Sequence, residues 1–294
     1  MRSLIPWSFR SLFPSLLIPF CALAFLHGAA GVSAAQLEVF VSLPPQAAIV
    51  ERIGGKQVRT QIMVKAGQDP HTFEPKPRQV QDLARANIYF TSGLPFEAQI
   101  VAKIRDSKLL SIIDATAGIN RVVAEDHHHP GEAEIDPHVW LSPESLKIMA
   151  ENVTQALSSK DPKNRDFFRG NQQALNDELQ ALDEKIKAML APHAGRTFYV
   201  FHPAFGYFAH AYGLKQKAVE TGGKSPSPKQ LAALIAQAKK DGVKIIFVQP
   251  QFDARNAEVI ARAINGTVVA IDPLSADILN NLVEIAAGIA KAMK

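Results

Sequence analysis

Residues 161–191 read DPKNRDFFRGNQQALNDELQALDEKIKAMLA, and this stretch decides how the rest of the chain is interpreted. Asp161 can cap a helix and Pro162 fits its first turn, while the next proline is Pro192. The stretch therefore predicts one uninterrupted helix of about 30 residues, on the order of 45 Å long at about 1.5 Å per residue. Apolar side chains recur along it at helical spacing and predict one buried stripe: Phe168, Leu175, Leu179, Leu182, Ile186 and Met189.

On both sides of this helix, short β-branched runs alternate with helical patterns. The predicted strands are 37–43, 58–64, 87–91 and 109–113 before it, and 197–201, 215–219, 244–248 and 267–271 after it. Such alternation predicts an α/β fold with two lobes, each with a mostly parallel sheet flanked by helices. The predicted organisation is an N-terminal lobe (36–160), a connecting helix (161–191) that acts as a stiff strut, and a C-terminal lobe (192–294).

The first 35 residues are predicted to be a secretory signal peptide. Arg2 and Arg10 supply positive charge, the apolar stretch that follows is broken by prolines, and small residues precede Gln36. The only cysteine, Cys21, follows Phe20 instead of a small residue, so we expect an exported, periplasmic protein without a lipid anchor or disulfides. Without Arg2 and Arg10 the chain carries 30 basic and 28 acidic side chains. That balance gives no support to nucleic-acid binding.

Four potential metal ligands lie in short turns that also contain proline. They are His71, His138, His202 and Asp272, and each follows or ends an apolar run. A proline next to a donor favours an extended or turn conformation over a helix. Three imidazoles and one carboxylate match the donors of a tetrahedral zinc site, with bonds of about 2.0–2.2 Å. The donors are far apart in sequence, so no local zinc motif applies.

Residues beside these donors are candidates for supporting the site. Asp69 and Asp136 each lie two positions before a histidine and are candidate hydrogen-bond partners of its ring, or they simply start a turn. Four aromatic residues in the same turns are expected to wall the cleft: Phe73, Trp140, Phe205 and Tyr207.

A separate polar segment, 125–136, contains His127, His128 and His129 among acidic residues. Its composition predicts a mobile loop. Two interpretations stay open: weak metal recruitment by the three histidines, or a solvated insertion without a role.

The mature chain resembles the zinc and manganese solute-binding proteins of bacterial ABC importers, in which one long helix joins two lobes. The matching stretches are 66–75, 136–143, 202–208, 224–228 and 271–274. The resemblance implies that His71 and His138 are donors from the first lobe, and His202 and Asp272 from the second. It also implies a membrane permease and a cytoplasmic ATPase as partners, and we expect the receptor to be a monomer.

Manganese-type members typically have a glutamate at the third ligand position, where this chain has His202. Imidazole suits zinc and carboxylate suits manganese, so Zn²⁺ is the predicted cargo and Mn²⁺ or iron the alternative. A zinc-dependent hydrolase is the competing class, but it would keep one coordination position open for water beside a general base. Glu74 is the only nearby candidate for that base. A metal buffer or adhesin without a transporter would have the same site and would differ only in its partners. Because four protein ligands would leave no open position for a catalytic water, we predict a receptor and not an enzyme.

Overall fold

Two four-stranded parallel sheets form the framework of the molecule, seen in a computed structural model that describes residues 36–105, 107, 109–124, 135–220 and 225–293. The predicted signal peptide, the histidines 127–129 and Lys224 lie outside these residues. The strands are β1 (Leu37–Val41), β2 (Val58–Ile62), β3 (Ile88–Thr91), β4 (Ser111–Asp114), β5 (Thr197–Val200), β6 (Lys215–Ala218), β7 (Ile245–Val248) and β8 (Thr267–Ala270).

Both sheets have the same topology. The strand order is β2-β1-β3-β4 in the first sheet and β6-β5-β7-β8 in the second. Leu37 pairs with Val58 at one end of the β1–β2 ladder, and Thr197 pairs with Lys215 at the start of the β5–β6 ladder. All strands in each sheet run in the same direction, and the strand order switches between the two central strands, β1 and β3 or β5 and β7. The loops that follow the parallel strands meet at one edge of the sheet.

Nine α-helices surround the sheets in the described part of the chain. They are α1 (Pro44–Gly54), α2 (Pro77–Leu83), α3 (Pro95–Ile104), α4 (Pro143–Lys160), α5 (Arg165–Leu190), α6 (Gly206–Ala211), α7 (Pro228–Lys240), α8 (Arg255–Ala263) and α9 (Ile278–Ala292). Five of them begin at a proline, where the missing N–H is one that a helix leaves unpaired anyway. Within the described residues, no helix is both long and apolar enough to cross a membrane.

The long connecting helix is present, but it is interrupted at both ends. Helix α5 contains 26 residues and is flanked by 3₁₀ turns at Pro162–Asn164 and Ala191–His193. Asp161 makes no side-chain cap, because the α-helix begins only after the first 3₁₀ turn. The predicted stripe is confirmed: four of its side chains are fully buried and two are partly buried. They are Phe168, Leu175, Leu179 and Ile186, then Leu182 and Met189.

Helix α4 was not predicted, and it is the main packing partner of α5. Its buried face contains Leu146, Met149, Val153 and Leu157 at helical spacing. Helix α5 also packs on α1 from the N-terminal half, meaning the residues before α5, and on α9 from the C-terminal half, meaning those after it. One hydrophobic core contains buried residues from both halves. A second, smaller core lies within the C-terminal half, where α8 packs on β7 and β8.

Candidate metal centre

Three of the four predicted ligands meet in space. His71 lies in the loop between β2 and α2, His138 precedes α4, and His202 follows β5. The Nε2 atom of His138 lies 3.3 Å from Nε2 of His71 and 3.3 Å from Nε2 of His202. Ligand atoms of all three imidazoles lie within 4.8 Å of one another. A tetrahedral shell with bonds of about 2.0–2.1 Å separates neighbouring donors by roughly 3.3–3.4 Å, so the imidazole spacing fits one ion.

Two of the three imidazoles are oriented by buried carboxylates. Nδ1 of His138 lies 2.7 Å from Oδ1 of Asp136, which also accepts the backbone N–H of His138 at 2.8 Å. Nδ1 of His202 is hydrogen-bonded to Oε1 of Glu220. Only 2% of Asp136 and 4% of Glu220 is exposed. When a carboxylate accepts the Nδ1 proton, the lone pair of Nε2 points to the common centre.

The sequence prediction was right for one aspartate and missed the glutamate. Asp136 was a candidate partner for a ligand histidine, and the hydrogen bond is present. Asp69 was the other candidate, but its carboxylate accepts the backbone N–H of His71 and the hydroxyl of Thr72, and so forms a turn. Glu220 was missed because it follows β6 and reaches His202 only through the pairing of β6 with β5. Its position after a strand was the available signal.

The pKa values of two of the imidazoles, those of His71 and His202, are lowered, which favours their neutral form at neutral pH. Burial, together with the neighbouring imidazoles of His138 and His202, lowers the pKa of His71 from 6.5 to about 3. Burial also lowers the pKa of His202, against the opposing effect of its hydrogen bond to Glu220. His71 is exposed as a residue whereas His138 and His202 are buried. Neutral imidazole is the form that binds a metal ion.

Asp272 lies beside this group but not within it. It follows β8, and its Oδ1 accepts hydrogen bonds from Nε2 of Gln251 and from the backbone N–H of Leu274, both at 2.9 Å. The group of donors found among the described residues contains the three imidazoles only. Its role as the fourth ligand therefore stays a prediction. Glu74 is exposed and is likewise outside the group.

Apolar side chains enclose the three imidazoles. A cavity of about 10 Å³, roughly the space of one water molecule, is lined by the histidines and by Pro70, Leu94, Trp140, Gln251, Phe252, Pro273 and Leu274. The ring of Phe252 stacks on His202 with centroids 4.6 Å apart. Nε1 of Trp140 donates to the carbonyl of Pro273 at 2.7 Å, which joins the two halves beside the site. Of the four aromatic residues predicted to wall the cleft, Trp140 lines this cavity, whereas Phe73, Phe205 and Tyr207 are not among its lining residues. Phe252 was missed.

This combination of fold and site defines a class: two α/β units joined by one long helix, with a histidine-rich candidate metal site formed by loops from both. Comparisons with known proteins give the particular family. The chain belongs to the family of zinc-uptake complex component A, periplasmic, whose model matches residues 39–292.

Individual relatives support this assignment over most of the chain. A putative metal-binding protein of Chlamydia muridarum is 29% identical over 256 residues, which is 87% of this chain and 91% of that protein. The high-affinity zinc uptake system protein ZnuA of Paracoccus denitrificans is 28% identical, over 80% of this chain and 83% of that one. The crystal structure of a ZnuA superposes with a TM-score of 0.83 at 37% identity, covering 88% of this chain and all of that one.

Proposed function

We propose that this protein is an extracytoplasmic receptor that captures Zn²⁺ at the three-histidine site and delivers it to an ABC transporter. One observation carries the proposal: Nε2 of His138 lies at the spacing of neighbouring ligands on one ion from Nε2 of His71 and from Nε2 of His202, and loops from both halves of the molecule hold these three rings. The high-affinity zinc uptake protein of Paracoccus denitrificans and a ZnuA structure with zinc bound are among the proteins this chain is similar to.

The donor chemistry favours zinc over manganese. All three grouped donors are imidazole nitrogens, which are borderline ligands that suit zinc, whereas manganese favours carboxylate oxygens. The cavity beside the imidazoles is small, about 10 Å³, and has room for about one small ligand. Zn²⁺ commonly adopts four-coordinate shells, while Mn²⁺ usually takes more oxygen ligands.

Asp272 is proposed as the fourth donor. Both hydrogen bonds that the described residues make to its carboxylate end on Oδ1, so Oδ2 is the atom available to a metal. Its neighbours Pro273 and Leu274 form a wall of the same cavity. A fourth protein donor would close the coordination shell and leave no position for an activated water. This arrangement supports binding without catalysis.

The wider roles follow from the family. We infer that residues 36–160 and 192–294 act as two lobes joined by 161–191, and that their shared core restricts lobe motion. The proposed location is the periplasm, after removal of residues 1–35 and without a lipid anchor. The proposed partners are a permease and its ATPase, with the receptor as a monomer.

Metal analysis and competition titration test the proposed function. Protein purified without added metal should contain zinc, and the stripped protein should bind one Zn²⁺ tightly and Mn²⁺ much more weakly. His71→Ala, His138→Ala and His202→Ala should each abolish the tight step, and Asp272→Asn should weaken it. A tight step that survives all three histidine substitutions would show that the zinc site lies elsewhere. Equal affinity for Mn²⁺ would favour the manganese-type receptor.

A further inference from the structure

One oxygen of the carboxylate that orients His138 has no hydrogen bond. Oδ1 of Asp136 accepts both the N–H and the Nδ1 proton of His138. Oδ2 is buried and makes no hydrogen bond to any described residue. Burying a carboxylate oxygen without a hydrogen bond costs free energy, so the packing around Asp136 must compensate for that cost.

The surface that Oδ2 faces is a glycine from the other half of the molecule. Gly206 is the first residue of α6 and lies four positions after His202. A Cβ atom placed on Gly206 would lie 2.3 Å from Oδ2 of Asp136 and 3.4 Å from its Cγ. Real Cβ atoms essentially never show contacts under 3.0 Å, so with any side chain here either the carboxylate or the start of α6 would have to shift. Because that carboxylate accepts two hydrogen bonds from His138, a shift of the carboxylate would move the imidazole as well.

A second contact joins the same two segments. The hydroxyl of Tyr207, the residue after Gly206, accepts the backbone N–H of Val122 at 3.2 Å. The carbonyl of Val122 in turn accepts the backbone N–H of Asp136 at 2.9 Å. The start of α6 therefore contacts Asp136 directly at Gly206, and indirectly through the hydrogen bonds of Val122.

We propose that Gly206 is a positioning residue for metal binding: its lack of a side chain lets the C-terminal half press against Asp136 and so fixes His138 relative to His202. This inference rests on the proposed zinc site. The start of α6 would then set the distance between the two buried imidazoles, which is 3.3 Å between Nε2 of His138 and Nε2 of His202.

A double-mutant cycle tests the proposal. Gly206→Ala should weaken zinc binding at least about tenfold, the lower end of what loss of an orienting partner costs. In an Asp136→Ala background the same substitution should change zinc affinity less than about twofold, since independent sites add and coupled sites do not. The visible absorption spectrum of bound Co²⁺ should change with Gly206→Ala, because the ligand geometry is altered.

The matched control is Gly170→Ala. Gly170 is exposed on α5, and a Cβ there would meet nothing within 4 Å, so zinc affinity should be unchanged. Equal losses from Gly206→Ala in both backgrounds, or no loss in either, would overturn the proposal.

If the Gly206→Ala single variant does not fold, Tyr207→Phe gives a milder test. It should weaken zinc binding in the native background and have no further effect with Asp136→Ala; an equal effect in both would again overturn the inference. Failure of the unmodified protein to bind zinc would instead refute the proposed function.

Discussion

At the scale of single residues, the three imidazoles are held in different ways. His138 and His202 are buried and hydrogen-bonded to Asp136 and Glu220, whereas His71 is exposed and lies on a loop. A partner on Nδ1 fixes both the tautomer and the direction of the ring. The orientations of the two buried imidazoles are therefore fixed before any metal binds. His71 lies on the side of the group that is more open to solvent.

Glu220, hydrogen-bonded to His202, should matter for zinc affinity although it is not one of the proposed metal ligands. Glu220→Gln should weaken zinc binding about 10–100-fold, because an amide holds the Nδ1 proton less well than a carboxylate. Glu74→Gln is the matched control, since Glu74 is exposed and lies three residues from His71. Competition titration with a zinc chelator would measure both. If the two substitutions had the same effect, Glu220 would have no special role in orienting His202.

The lowered pKa values of His71 and His202 should shift the response to acid. The unfolded chain takes up protons on these rings below about pH 6.5, whereas the folded, metal-free protein does so only at lower pH. The free energy of unfolding should therefore fall as the pH drops below about 6.5. His71 keeps contact with solvent, so the buried His202 should contribute most of this effect.

The same neutrality should preserve zinc binding in mild acid. Between pH 7 and pH 5, zinc affinity should decline less than it would for three free imidazoles with a pKa of about 6.5. Calorimetry in buffers of different ionisation enthalpy counts the protons released per zinc. Release of about three protons at pH 5.5 would show that the rings are charged in the free site and contradict this expectation.

At the scale of elements, the sequence predicted best what depends on local pattern. The apolar stripe of α5 is present, and α2, α3 and α7 each begin at a proline, which is a helix-start signal visible in the sequence. Helix α4 was missed although Pro143 and the spacing of its buried face carry the same signals.

What could not be predicted depends on contacts between distant segments. Glu220 reaches His202 only because β6 pairs with β5, and the contact of Gly206 with Asp136 joins residues 70 positions apart. Asp272 combines both kinds of contact. Its Oδ1 accepts the backbone N–H of Leu274 in a local turn, but it also accepts a hydrogen bond from Gln251, 21 positions away, which no local pattern indicates.

Two neighbouring positions on α5 should separate the effect of burial from that of surface charge. Leu179→Ala should lower the free energy of unfolding by about 2–5 kcal/mol, because a fully buried leucine is replaced by a cavity. Glu178→Ala should cost about 0–1 kcal/mol, since its ion pair with Arg52 is half exposed. Urea denaturation of both variants would measure the difference. Similar losses would mean that α5 does not depend on its buried stripe.

At the scale of the whole molecule, the three-histidine group lies where the two halves meet. His138 and Trp140 come from the N-terminal half, and His202 and Pro273 from the C-terminal half. The halves also share one hydrophobic core around α5. Metal binding and the contact between the halves should therefore be coupled, with the hydrogen bond from Trp140 to Pro273 as one of the links.

The hydrogen bond from Trp140 to Pro273 should control the rate at which zinc dissociates. Trp140→Phe keeps an aromatic ring but leaves the carbonyl of Pro273, next to Asp272, without its buried donor. An unpaired buried group costs about 1–3 kcal/mol, so zinc should dissociate about tenfold faster. Stopped-flow mixing with a chromogenic chelator would measure the rate. Tyr89→Phe is the control, because it removes a buried hydrogen bond to Ser42 that lies wholly within the N-terminal half. It should lower stability without changing the zinc off-rate, and equal acceleration in both variants would show that general destabilisation, not the link between the halves, governs release.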